Sequence, residues 1–240
     1  MTASLVMLHP LGVDHRFWDP VVARLPDALG AVAVPDLLGH GSAPLPPESA
    51  TVADFADAVE KEIAEHDRVT LVGVSLGGLV AQVLGARRPE WVERLVLADT
   101  VAVYPKPMQS MWRRRAVTVR SEGLQAVVEP TEALWFSDAF RRDAADSVAV
   151  VRRMLLAGDP EGYARTCEAL ADADTSDVVA SIVAPVLVAC GQHDAQPFRE
   201  ATDWFVRTLP DASMTWLPGG HANAYEQPRP FADALAGFLR

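Results

Sequence analysis

The segment Gly73-Val74-Ser75-Leu76-Gly77-Gly78 constrains this chain more than any other. An apolar, β-branched run, Arg68-Val69-Thr70-Leu71-Val72, leads into it, and a helix-forming stretch, Leu79-Val80-Ala81-Gln82-Val83-Leu84, leads out. Strand, glycine-flanked serine and helix together are the context of a nucleophile elbow. In so tight a turn Gly73 and Gly77 must lack side chains, which would collide with neighbouring backbone. Ser75 is therefore expected in a strained conformation at the carboxyl end of a sheet. The N–H groups that open the following helix aim at the same spot, where they can stabilise an anion.

Short apolar runs recur along the chain. Ser4–Leu8, Ala31–Val34, Val69–Val72, Leu95–Ala98, Val186–Ala189 and Met214–Leu217 read as strands. Helical patterns lie between several of them: Thr51 to His66 with a Thr N-cap and early acids, Leu76 to Arg88 stopped by Pro89, Phe198–Thr208 and Pro230–Leu239. Such alternation implies an α/β fold, a mostly parallel sheet of about six strands covered by helices on both faces. It breaks between about Val101 and Ser181, a stretch rich in Arg, Asp and Ala with helix-like patterns and no convincing strand. The expected organisation is a core of residues 1–100 and 182–240, with residues 101–181 inserted as a helical cap over the strand ends. Ala43-Pro44-Leu45-Pro46-Pro47-Glu48 reads as a stiff loop, and the chain has no internal repeat.

Composition narrows the partners. The net charge of −11 argues against nucleic acid, which requires clustered Lys and Arg. The same field repels an acidic substrate, which would then require a local basic group. No apolar run is long enough to span a bilayer, and Met1 to Val6 lack the basic and apolar regions of a secretory signal. Cys167 and Cys190 have no metal-ligand or redox spacing, and free thiols in a reducing compartment fit them better than one disulfide. A cytoplasmic protein is expected. No phosphate loop and no metal-spaced His or Cys cluster is present, so no cofactor and no metal are implied.

A serine becomes nucleophilic only with a base, and the base requires an orienting acid. In this sheet architecture the partners follow in the order Ser, acid, His. Val186 to Asp194 is a buried strand, a glycine turn and an acid; Trp216-Leu217-Pro218-Gly219-Gly220-His221 is a strand and a glycine-rich loop carrying a histidine. Ser75, Asp194 and His221 are the expected catalytic residues, with Asp99, at the end of another strand, as the competing acid. His193 neighbours the acid and would point elsewhere. His9 is expected to line the site, His40 to organise a turn, and His15 and His66 to lie at the surface. The oxyanion donors are expected to be the N–H groups of Leu76 and of Leu11, because Pro10 in the loop His9-Pro10-Leu11-Gly12 has none.

These residues resemble the α/β-hydrolase superfamily over essentially the whole chain. The segments Met111-Trp112-Arg113-Arg114-Arg115, Leu134-Trp135-Phe136, and Asp159-Pro160-Glu161-Gly162-Tyr163-Ala164 leading to Cys167 further resemble the 3-oxoadipate enol-lactonases. That resemblance implies a small enol-lactone substrate bearing a carboxylate, hydrolysed to 3-oxoadipate. An apolar wall would then come from Trp112 and Trp135, and the cation for the acid from Arg115, with Arg114 and Arg120 behind it; a solvated helix face is the alternative for each arginine. Tyr163 and Cys167 read as packing residues. The chain departs from the pattern in lacking the usual amino-terminal hairpin, in its His9-Pro10-Leu11-Gly12 loop and in Gln196-Pro197-Phe198 after the acid. A short-chain carboxylesterase and a non-enzymatic ligand receptor on the same fold are the alternative functions.

Overall fold

The computed structural model describes residues 4–26 and 31–240. Met1, Thr2 and Ala3, part of the segment read for a secretory signal, lie outside the described residues. The chain begins with β1 (Ser4–Leu8), a 3₁₀ turn (His15–Trp18) and α1 (Asp19–Val22). It continues through β2 (Val32–Ala33), α2 (Val52–Glu62), β3 (Val69–Val74), α3 (Leu76–Arg87) and β4 (Val92–Ala98). Helices follow without a strand: α4 (Lys106–Glu122), α5 (Gln125–Trp135), α6 (Asp138–Asp143), α7 (Ala145–Ala157), α8 (Pro160–Asp172) and α9 (Ser176–Val179). The chain closes with β5 (Val186–Gly191), α10 (Gln196–Thr208), β6 (Ala212–Leu217), α11 (Asn223–Glu226) and α12 (Pro228–Phe238).

Among the described residues the strands form a six-stranded sheet in the order β2-β1-β3-β4-β5-β6, with every neighbouring pair parallel. Residues of β3 and β5 are buried throughout, as a parallel sheet covered on both faces requires. Alternate side chains enter two separate cores. Val6, Leu8, Leu71, Leu97 and Val188 join the core under α2, α3 and α10, with Phe55, Leu79 and Phe205. Leu5, Met7, Val72, Val96 and Leu187 join the other, with Trp18 and Phe231. The 3₁₀ turn and α1, which supply Phe17, Trp18 and Val21 to that second face, are too short to leave a periodic signal in the sequence.

The strand order sets the site. After β1 the chain adds β2 on one side and then β3 on the other, so the loops leaving β1 and β3 diverge over a crevice at their carboxyl ends. The loop His9 to Gly12 and the turn at Ser75 border that crevice. Two close approaches hold them. A Cβ on Gly73 would stand 2.2 Å from the Gly77 carbonyl oxygen, and one on Gly77 would stand 2.2 Å from that of Leu8. No helix is long and apolar enough to cross a membrane.

Gly77→Ala is expected to destabilise the fold by roughly 3 kcal/mol or more, since both clashing atoms are main chain and cannot turn away. Gly237→Ala, in α12 with nothing within 4 Å of the added methyl, is expected to stabilise by about 0.5–1 kcal/mol. Denaturant midpoints at constant slope measure both.

Candidate active site at the carboxyl ends of the strands

Ser75 sits between β3 and α3 at φ 55°, in the left-handed region that disfavours a side chain. Its N–H donates to the Ala98 carbonyl at 3.0 Å, and its carbonyl accepts from Thr100 Oγ1 at 2.7 Å. The turn is thus fixed from β4. The Ser75 hydroxyl makes no hydrogen bond among the described residues. At the head of α3 the N–H of Leu76 has no protein acceptor, and neither has that of Leu11 across the crevice. Two main-chain donors, one beside the serine at the head of α3 and one on the loop after β1, are thus left unpaired among the described residues.

Asp194 and His221 come together on the other side. His221 Nδ1 lies 3.0 Å from Asp194 Oδ2 and 3.2 Å from Oδ1, with both residues buried. Main-chain contacts set this pair. His193 N–H donates to Gly219 O at 3.0 Å, Gln192 N–H to Leu217 O at 2.8 Å, and Asp194 Oδ1 accepts from Ala195 N–H at 2.6 Å. A Cβ on Gly191 would stand 2.3 Å from the Gly220 carbonyl, so the turn after β5 and the histidine loop after β6 lie back to back. The loop is also tied to the helical segment: Ala222 N–H donates to Trp135 O at 3.1 Å, and buried Glu226 accepts from Gly220 N–H at 3.3 Å and from Ser137. Phe198 lies against the imidazole, ring centroids 4.3 Å apart.

Asp99, the competing acid, does not bond His221. It ends β4 at φ 46°, fully buried, and accepts from Gly191 N–H at 2.8 Å and from Asn223 Nδ2. Its carboxyl, that of Asp194 and the Cys190 thiol all lie within 4.8 Å of one another. Burial, and then the Asp194 charge, hold Asp99 well above the usual carboxylate range. Asp99 is therefore the neutral member of the pair, and Asp194 the carboxylate that faces the imidazole.

The remaining sequence-predicted residues divide. His9 is fully buried and does not line the site: Nε2 accepts from Leu37 N–H at 2.9 Å, and Nδ1 donates to Pro10 O at 2.8 Å. Burial, and then neighbouring His40, lower its pKa to about 3, so it stays neutral and holds the loop that carries Leu11. His40 donates from Nδ1 to Leu38 O, the local turn bond expected of it. His193 and His15 are exposed. Trp135 lies among core aromatics, 6.0 Å from Phe17 and 6.2 Å from Phe136, and it is its carbonyl that reaches the histidine loop. Trp112 is buried against Tyr104, ring centroids 5.7 Å apart. Arg114 is exposed, and Arg120 is engaged by Glu161 and Glu168. Arg115 differs. Its guanidinium lies over the rings of Trp112 (5.7 Å) and Tyr163 (5.9 Å) and donates to Val127 O and Thr131 Oγ1, with no acidic partner among the described residues. The Nε of Arg115 and the Nε1 of Trp112 are buried without an acceptor. Tyr163 in turn packs on Gly12, where an added Cβ would come within 2.9 Å of its ring.

Cys167 and Cys190 are free and buried, and burial pushes the Cys167 thiol up to about 12, which leaves it unreactive. A cavity of about 310 Å³ lined by Gly12, His40, Leu155 and Tyr163 borders the loop carrying Leu11. A larger groove of about 560 Å³ beside α2 and α8 contains none of these residues, so size alone does not locate the chemistry.

A parallel α/β sheet presenting a strained serine, two free main-chain donors and a buried His–Asp pair at its carboxyl edge defines the architecture of an α/β-type hydrolase. The chain belongs to the alpha/beta hydrolase family, whose model matches residues 5–234. It is similar to two 3-oxoadipate enol-lactonases of Acinetobacter baylyi. One is 27% identical over 240 residues and the other 30% over 246, each match covering 99% of this chain and 88% of the relative. Among solved structures, the enol-lactonase from Burkholderia xenovorans LB400 matches with a TM-score of 0.91 at 28% identity, over 100% of this chain and 92% of that one.

Tyr104, Asn223 and Glu226 were not singled out from the sequence, because their roles depend on contacts across loops and carry no spacing. The neutral state of Asp99 has a measurable consequence. The unfolded chain ionises Asp99 near its ordinary pKa while the fold keeps it protonated, so its contribution to stability is present at low pH and lost as pH rises. Asp99→Asn removes that dependence. Thermal melts from about pH 5 to about pH 8 are expected to show the variant gaining on the parent protein steadily with pH.

Proposed function

We propose that the protein hydrolyses a small, carboxylate-bearing lactone of the 3-oxoadipate enol-lactone type through Ser75, His221 and Asp194. The observation that carries this reading is the buried hydrogen bond between His221 Nδ1 and Asp194, formed on the same sheet edge as the strained serine. With Nδ1 bound to the carboxylate, Nε2 is left as the basic nitrogen. Ser75 Oγ attacks the lactone carbonyl and passes its proton to Nε2. The tetrahedral oxyanion is held by the N–H groups of Leu11 and Leu76. Collapse breaks the ring carbon–oxygen bond, and the proton on His221 passes to the departing group, either to the oxygen as it leaves or to the enolate just formed, which restores the basic Nε2. The ring-opened acyl chain stays on Ser75 until water, deprotonated by His221, releases the acid and returns the proton to Ser75. In the free protein the Ser75 hydroxyl has no hydrogen bond, a common state for catalytic groups that tighten only around substrate.

The choice of an anionic substrate rests on Arg115. A half-buried guanidinium stacked on two aromatic rings, with neutral acceptors only, calls for an anion. The buried Nε1 of Trp112 supplies a second donor for the same carboxylate. Residues 101–181 act in this reading as a cap, closing the substrate against the core of residues 1–100 and 182–240. A cytoplasmic location goes with it, since buried free thiols suit a reducing compartment.

Two variants test the reading. Ser75→Ala is expected to lower kcat by roughly four to six orders of magnitude and to abolish labelling by a fluorophosphonate. Arg115→Ala is expected to raise KM for a carboxylate-bearing lactone by about 10- to 100-fold, the value of a charge-assisted hydrogen bond, while leaving a neutral aryl acetate within about threefold. Equal effects on both substrates would favour a short-chain carboxylesterase. No turnover and no labelling of the parent protein, across a panel of lactones and esters, would favour a receptor.

A further inference from the structure

Tyr104 lies in the segment that leaves β4, just ahead of α4, and is almost wholly buried at 1% exposure. Its hydroxyl has no hydrogen-bond partner. Nearly every buried polar atom in a folded protein is paired, because an unpaired one loses its hydration for nothing in return. The surroundings of this one are those of the site. The Tyr104 hydroxyl lies beside the Ser75 side chain without a well-formed hydrogen bond to it, and within electrostatic reach of Asp194. Its ring packs edge-on against Phe198 (6.3 Å), which packs against His221 (4.3 Å), and against Trp112 (5.7 Å). The tyrosine is thus fixed on three sides, with its donor aimed beside the serine. Burial keeps the hydroxyl protonated, so it stays a donor through the working pH range.

The sheet order says which substrate atom it meets. The loop carrying Leu11 leaves β1, on one side of β3 and Ser75; Tyr104 leaves the neighbour on the other side, β4. A carbonyl attacked by Ser75 with its oxygen toward Leu11 and Leu76 turns its remaining oxygen substituent away from β1. That is the side of Tyr104, and the side from which Phe198 and His221 approach. The carbonyl oxygen already has its two donors there, and Arg115 is placed for a distal carboxylate. The ester or ring oxygen is the one reacting atom left without a donor other than the imidazolium.

Building on the assignment of Ser75 as nucleophile, we infer that the Tyr104 hydroxyl donates a hydrogen bond to the departing oxygen of the substrate and stabilises it as the acyl bond breaks. The donor is preorganised in a dry site, where such bonds act most strongly on developing charge. Its weight depends on the leaving group. A poor one, an alkoxide, carries a high negative charge at bond cleavage, whereas an enolate or aryloxide spreads that charge over its own π system.

The test is Tyr104→Phe assayed on acyl-matched esters with alkyl and aryl leaving groups. The variant is expected to lose roughly 10- to 100-fold in kcat for alkyl esters, and less than about threefold for aryl esters, with a steeper dependence of rate on leaving-group pKa. Its Tm is expected to be unchanged or higher, because the deleted atom is an unsatisfied one. Equal losses for both leaving groups, or none, would overturn the inference while fluorophosphonate labelling of Ser75 persists. Absence of labelling in the parent protein would instead remove the Ser75 assignment, and this inference with it. Should the variant fold poorly, 3-fluorotyrosine at position 104, a stronger donor of nearly the same size, is expected to raise the alkyl-ester rate selectively; an unselective or absent response counts against the role.

Discussion

The close approach of main chain from two strands and a helix at the carboxyl edge of the sheet is the constraint on which the rest depends. Gly73, Gly77 and the end of β1 meet at distances that exclude any side chain. That contact does two things at once. It forces Ser75 into a conformation no ordinary turn would adopt, and it seats the end of β1 directly against the first turn of α3. The strain at Ser75 is held by the Ala98 and Thr100 hydrogen bonds from β4, so the serine is locked from both neighbouring strands. A serine placed on a looser turn would need to be ordered at each reaction cycle; here that ordering is done during folding.

The second half of the site is organised by buried carboxyl groups rather than by sterics alone. Asp99 and Asp194 end neighbouring strands and lie too close, and too far from water, for both to be charged. Asp99 takes the proton because burial and the Asp194 charge outweigh the Gly191 N–H and Asn223 Nδ2 donors, which by themselves favour its anion. Asp194 faces the imidazole. Asn223 begins α11 two residues after His221, so both acids are tied to the same end of the histidine loop. Glu226, one turn later, extends the tie to Ser137 in the helical segment. The imidazole is therefore positioned through contacts that run from the sheet to the helices above it, and a displacement of either would be felt at Nε2.

What the sequence made legible follows from the range of each signal. The elbow, its flanking strand and helix, and the turns after β5 and β6 are local: glycine spacing and strand periodicity carry them. The inner strands β1, β3, β4 and β5 are likewise readable, because a strand buried on both faces is a continuous apolar run, and the partly covered β2 and β6 carry shorter runs of the same kind. His9 was misread because its loop position resembles that of a ligand-binding residue, whereas its partners are Leu37 N–H, 28 positions away, and its own neighbour Pro10. The wall expected of Trp135 rests on the family resemblance alone; that its carbonyl, not its ring, meets the histidine loop is a matter of backbone direction, which side-chain identity does not encode. Among the arginines of α4, Arg113, Arg120 and Arg115 look alike in sequence. Only the folded helices give Arg113 to Asp172 and Arg120 to Glu161 and Glu168, and leave Arg115 facing aromatic rings.

With the proposed carboxylate-bearing substrate, that division of the arginines bears on how an acidic protein would receive an acidic ligand. With a net charge of −11, the long-range field opposes the approach of an anion. Surface arginines paired with carboxylates do nothing to reverse it. A guanidinium withdrawn from solvent, flanked by ring faces and left without an acid, acts at short range and is weakly screened. Binding then selects for a ligand that can reach the interior with its charge at the right distance from its carbonyl, rather than for anions in general. The overall charge and the half-buried Arg115 work together in that reading: the first lowers non-specific occupancy, and the second rewards the substrate whose length matches the span from Arg115 to Ser75.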